Sequence, residues 1–80
     1  MHLMHRRDEM ANETIQKNLR RFIRERGVTQ AYIARATGLT EVSISHYVNG
    51  EHTPSSTSLL KLARALHVSM EDFFEVRNEV

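Results

Sequence analysis

From Thr29 to Gly50 the sequence reads Thr-Gln-Ala-Tyr-Ile-Ala-Arg-Ala-Thr-Gly-Leu-Thr-Glu-Val-Ser-Ile-Ser-His-Tyr-Val-Asn-Gly. Few folds accommodate it. Thr29 can cap a helix, because its hydroxyl accepts from a free first-turn N–H. Gly38 stops that helix, supplying the left-handed backbone that a β-carbon resists. Thr40 caps a second helix, and Asn49-Gly50 ends it. Two caps and two glycine stops this close together require two short helices around a tight turn.

The flanking sequence supplies further helices. From Asn12 or Thr14 to Arg26, Ile15, Leu19, Phe22 and Ile23 form one apolar stripe, with Lys17, Asn18, Arg20, Arg21, Arg24 and Glu25 on the remaining faces. Gly27 stops this helix. In the second helix Ile33, Ala34 and Thr37 point inward, and the small Ala34 allows close crossing by the next helix. In the third, Ile44, Tyr47 and Val48 are the inward set, leaving Glu41, Val42, Ser45, His46 and Asn49 together on the opposite face. After Pro54, Ser55 or Ser56 caps a fourth helix with Leu59, Leu60, Leu62, Ala63 and Leu66 as its apolar set. Ser69 and Asp72 form an approximate capping box for a short fifth.

The expectation is an all-α, compact five-helix domain with helices near 14–26, 30–37, 41–49, 56–66 and 70–76. Residues 1–11 read as a flexible N-terminal arm, 12–76 as the domain and 77–80 as a C-terminal tail.

Composition narrows the function. The 80 residues include no cysteine, which excludes disulfides and thiolate metal sites and fits a cytoplasmic address. No stretch approaches the roughly 20 apolar residues of a membrane span. His2 and His5 lack partners for a metal site, and neither metal nor cofactor is expected. Catalysis is not expected either, since there is no Cys nucleophile and no phosphate-binding loop. Net charge is only +1, but residues 1–35 hold eight basic and four acidic side chains, against three basic and six acidic in residues 36–80. Such asymmetry suits one face to a polyanion.

The ordered set Thr29-Gln30, Ile33-Ala34, Gly38-Leu39-Thr40, Ser43-Ile44-Ser45, Asn49-Gly50, Pro54-Ser55 and Leu59-Leu60-Lys61-Leu62-Ala63-Arg64-Ala65-Leu66 resembles the Xre/Cro–repressor helix-turn-helix family, which includes lambdoid phage repressors. The resemblance covers about residues 14–74. It implies a lambda-repressor-like DNA-binding domain whose third helix lies in the major groove. It implies base reading by Glu41, Val42 and His46, with Ser43 and Ser45 beside them for backbone or base bonds. Thr29, Gln30, Ser43 and Asn49 are the expected phosphate and positioning contacts. The chemistry agrees: Glu41 can accept from a cytosine amino group, Val42 can pack on a thymine methyl, and His46 can donate to guanine. Thr29 and Gln30 stand at a helix N-terminus, which favours phosphate.

The third helix departs from the family in having no Lys or Arg. Non-specific attraction to DNA is therefore expected from Arg24, Arg26, Arg35 and the N-terminal arm, with Tyr32 a further candidate phosphate contact. Ile23 and Val48 occupy positions where several repressors carry a buried Arg–Glu pair, a mutually consistent apolar exchange. One such helix reads few base pairs, so the expected partner is double-stranded DNA carrying a palindromic operator, bound by a homodimer. Phe73, Phe74 and Val76 are the candidate dimer surface. The competing reading is an antitoxin or adaptor that binds a protein partner through this C-terminal end.

Overall fold

The computed structural model describes the backbone of residues 2–77 and the side chains of residues 11–77. Four α-helices follow one another: α1 (His2–Arg26), α2 (Gln30–Thr37), α3 (Glu41–Asn49) and α4 (Ser56–Leu66). A 3-10 helix, Glu71–Phe74, completes the fold. No strand occurs among the described residues.

The caps act as their residue types dictate. Thr29, Thr40 and Ser55 each accept the amide three residues on. Gly27, Gly38 and Gly50 end α1, α2 and α3 in the left-handed region. His67 ends α4 in the same conformation at φ 58° and ψ 43°, which glycine adopts at lower cost.

The core joins Ile15, Leu19 and Phe22 of α1 to Ile33 and Ala34 of α2, Ile44 of α3, Leu59, Leu62, Ala63 and Leu66 of α4, and Phe73. α1 packs against α3, α4 and the 3-10 helix, while α2 packs against α3 and α4. The buried Thr37 hydroxyl donates to the Ile33 carbonyl at 2.7 Å and accepts from the Leu39 amide at 3.2 Å, bracing the turn between α2 and α3.

Four expectations need correction. The first helix begins at His2 and not near residue 14, so its backbone continues through the segment read as an arm. No Gly or Pro precedes Gly27, and extending a formed helix adds one bond per residue fixed. Leu60 lies off the α4 core stripe and is exposed. Asn18, read as outward, is buried. Its side-chain amide donates to the carbonyls of Phe73 (2.7 Å) and Glu75 (2.9 Å).

Those two bonds also explain the fourth correction. The last element is four residues of 3-10 helix and not an α-helix over 70–76. Ser69 and Asp72 do form the reciprocal box, with side-chain-to-amide bonds of 2.9 and 3.2 Å. Beyond Phe73, however, the carbonyls turn to Asn18 and the chain is extended at Glu75. The rest of the expected tail, residues 78–80, lies outside the described residues.

Candidate nucleic-acid interface

At about 100° per residue, Glu41, Val42, Ser45, His46 and Asn49 span roughly 140° of the α3 circumference, opposite Ile44. Glu41, Val42 and Asn49 are exposed, and Ser45 and His46 are half-buried. Val42 is the distinctive member, an apolar side chain left 65% exposed. The Asn49 amide donates to the Ser45 hydroxyl at 3.4 Å, linking the middle of this face to its end. Ser43 is engaged differently: its amide and hydroxyl both bond Thr40, each at 3.0 Å. Thr29 likewise holds the Tyr32 amide. Gln30 is the first residue of α2 and exposed, beside the unpaired N–H groups of that helix end.

The end of α3 is shaped by Gly50. At φ +77° its amide donates to Tyr47 (3.3 Å), while the Glu51 amide donates to the His46 carbonyl at 2.9 Å. This pair of bonds turns the chain back along the helix. Gln16 of α1 completes the closure by donating from Nε2 to the Val48 carbonyl at 3.0 Å. The returning loop places the Glu51 carboxylate 3.4 Å from His46 Nε2, and the His52 ring centroid 4.7 Å from that of His46.

The basic candidates divide. Arg24 is exposed on α1 and, with Lys17, Arg20, Arg21 and Arg77, lines a cleft of about 440 Å³ closed by Glu75 and Val76. Arg35 is exposed in the last turn of α2. Arg26 instead donates to the His67 carbonyl at 3.1 Å and so caps the end of α4. Tyr32 is 43% exposed. At the C-terminal end Phe74 and Val76 are exposed. Phe73 is fully buried, its ring edge-on to Phe22 at 5.1 Å and 87°, and so belongs to the core and not to a dimer surface.

Sequence reasoning missed Gln16, Asn18, Glu51 and His52. Asn18 alone left a signal, standing three residues after Ile15 and four before Phe22 and so on the face of the core stripe. The others act through a loop whose return path no periodicity encodes.

A helix-turn pair with paired caps, and an outer face on its second helix that the core does not use, defines a helix-turn-helix protein. A family model described as Helix-turn-helix matches residues 19–73. The chain belongs to this family, of the Xre/Cro type, and is a DNA-binding transcription regulator, not an enzyme. Among solved structures it is similar to the restriction-modification controller protein C.AhdI from Aeromonas hydrophila. That match has a TM-score of 0.72 and 26% identity over 76% of this chain and 92% of that one. No curated protein matches it. Among the described residues, no helix is long and apolar enough to cross a membrane.

Proposed function

We propose that the protein represses transcription as a homodimer on a palindromic operator, each α3 reading one half-site in the major groove. The carrying observation is the outer face of α3, where Glu41, Val42, Ser45 and His46 offer an acceptor, a methyl surface, a hydroxyl and an imidazole without a core role. These are the groups that distinguish base edges. Gln30 and Asn49 bracket that face as phosphate contacts, with Thr29 and Ser43 as further phosphate or positioning contacts near the two helix starts. Arg24, Arg35 and Tyr32 add sequence-independent attraction. The likeness to a restriction-modification controller supports a role in gene control.

The exposed Phe74 and Val76 supply the dimer surface, since a reading face against DNA cannot also pair two copies. Exposed apolar side chains of this kind also suit a protein partner, which is the second reading. Selection of bound duplexes from a random pool, combined with sedimentation of the free protein, tests both. The expected outcome is an inverted repeat with half-sites about one helical turn apart and a dimeric protein. Recovery of duplexes without a common sequence would sink the base-reading assignment.

A further inference from the structure

We propose that Glu51 and His52, which stand just beyond α3, are positioning residues that set the base preference of His46. The inference rests on the assignment of His46 as a base reader. The Gly50 turn brings both residues back onto the third helix, with the Glu51 and His52 amides donating to the His46 carbonyl at 2.9 and 3.4 Å. Both side chains then stand against the imidazole. The His52 ring lies 4.7 Å away, tilted by 51°, and the Glu51 carboxylate stands 3.4 Å from Nε2. Among the described residues, no other ring or carboxylate contacts His46.

An exposed histidine with free rotamers must be ordered when it meets a base, and ordering one such side chain weakens binding by about two- to tenfold. Here the ring is ordered before DNA arrives. The ring nitrogens also differ in the charge they face, and a histidine's hydrogen-bonding character depends on what each nitrogen meets. Glu51 occupies the Nε2 side, so the base edge is offered a defined orientation of the ring and not an average over several. Both residues are exposed, so their substitution leaves the core intact.

The test measures competition among the four bases at each half-site position, at fixed salt, with circular dichroism to verify folding. His46→Ala should reduce discrimination at one position by about tenfold. His52→Ala and Glu51→Ala should each reduce it at that same position by about threefold, leaving non-specific affinity within a factor of two. His52→Phe, which keeps a ring against the imidazole, should restore most of the loss caused by His52→Ala. In the His46→Ala background neither loop substitution should have any further effect at that position. If His46→Ala alters discrimination while His52→Ala and Glu51→Ala do not, the positioning role is wrong and base reading stands. If His46→Ala alters nothing, both assignments fall. A uniform loss of affinity for every sequence in the loop variants would identify them as phosphate-proximal residues and also overturn the proposal.

Discussion

Asn18 donates both of its amide hydrogens to the C-terminal segment, to Phe73 at 2.7 Å and to Glu75 at 2.9 Å, while its oxygen accepts from Arg21 at 2.9 Å. One buried side chain thus ties α1 to residues more than fifty positions away. Arg21 and Arg77 add ion pairs to Glu75 and Glu25, both at 3.9 Å, which the long separation and the exposed carboxylates keep small. Asn18→Ala removes both donors and strands the buried Phe73 carbonyl, a loss of about 1–3 kcal/mol. In chemical denaturation the midpoint should fall by that equivalent.

Phe73 and Phe74 are adjacent in sequence and opposite in role. Phe73→Ala empties a core site against Phe22 and should cost about 3–5 kcal/mol. Phe74, half exposed, contributes little to the folded monomer. Phe74→Ala should change the monomer's stability by less than about 0.5 kcal/mol yet weaken self-association in sedimentation equilibrium. Unchanged association would move the dimer contact elsewhere.

The difference between these phenylalanines shows what the sequence could convey. The caps at Thr29, Thr40 and Ser55 and the stops at Gly27, Gly38 and Gly50 were legible because each is a local requirement of backbone chemistry. The outer face of α3 was legible because Ile44, Tyr47 and Val48 define its inner side by period alone. Phe73 was not, because four residues of 3-10 helix carry no period and only the tertiary fold brings its ring against Phe22. Nor was the role of Arg26, since only the tertiary fold brings the His67 carbonyl beside it. The start of α1 was hidden because a polar, Met- and Arg-rich segment without glycine or proline permits helix without requiring it.

Glu41 begins α3 and is its only residue of fixed negative charge. Its carboxylate repels phosphate, while it can accept from a cytosine amino group. Glu41→Gln should therefore raise affinity for random duplex. At the base it faces, the preference should shift from cytosine towards adenine, which pairs with the glutamine amide, by about 1–3 kcal/mol. Competition binding at constant salt separates the two effects. An increase in affinity with no change in preference would remove Glu41 from the reading face.

At Gly50 two demands coincide. Its φ of +77° disfavours any β-carbon, and an added one would stand 2.7 Å from Gln16 Oε1. The Gln16 amide is the end of a flexible side chain, so it can move aside, but only by releasing the Val48 carbonyl. Gly50→Ala should cost about 1–2 kcal/mol for the left-handed backbone, plus about 0.5–1.5 kcal/mol for the hydrogen bond. Gln16→Ala should incur only the second loss. Thermal melts of the two single variants and the double variant should therefore be non-additive.

His67 occupies the left-handed cap of α4 at φ 58°, where the other helix-ending residues of this kind are glycines. Its amide bonds Arg64 at 3.3 Å and the following Val68 amide bonds Ala63 at 3.0 Å, so the position cannot relax without undoing the cap. Its imidazole is exposed, and its carbonyl, which accepts from Arg26, is backbone and survives substitution. His67→Gly relieves the steric cost of a β-carbon, about 1–2 kcal/mol, against the greater unfolded-state entropy of glycine, about 0.4–1 kcal/mol. The net expectation is a gain of roughly 0.5–1 kcal/mol, visible as a rise of a few degrees in Tm. DNA affinity should be unchanged, because the cap lies at the end of α4 and not on α3. A fall in Tm would mean that the imidazole makes a stabilising contact outweighing the strain of its backbone.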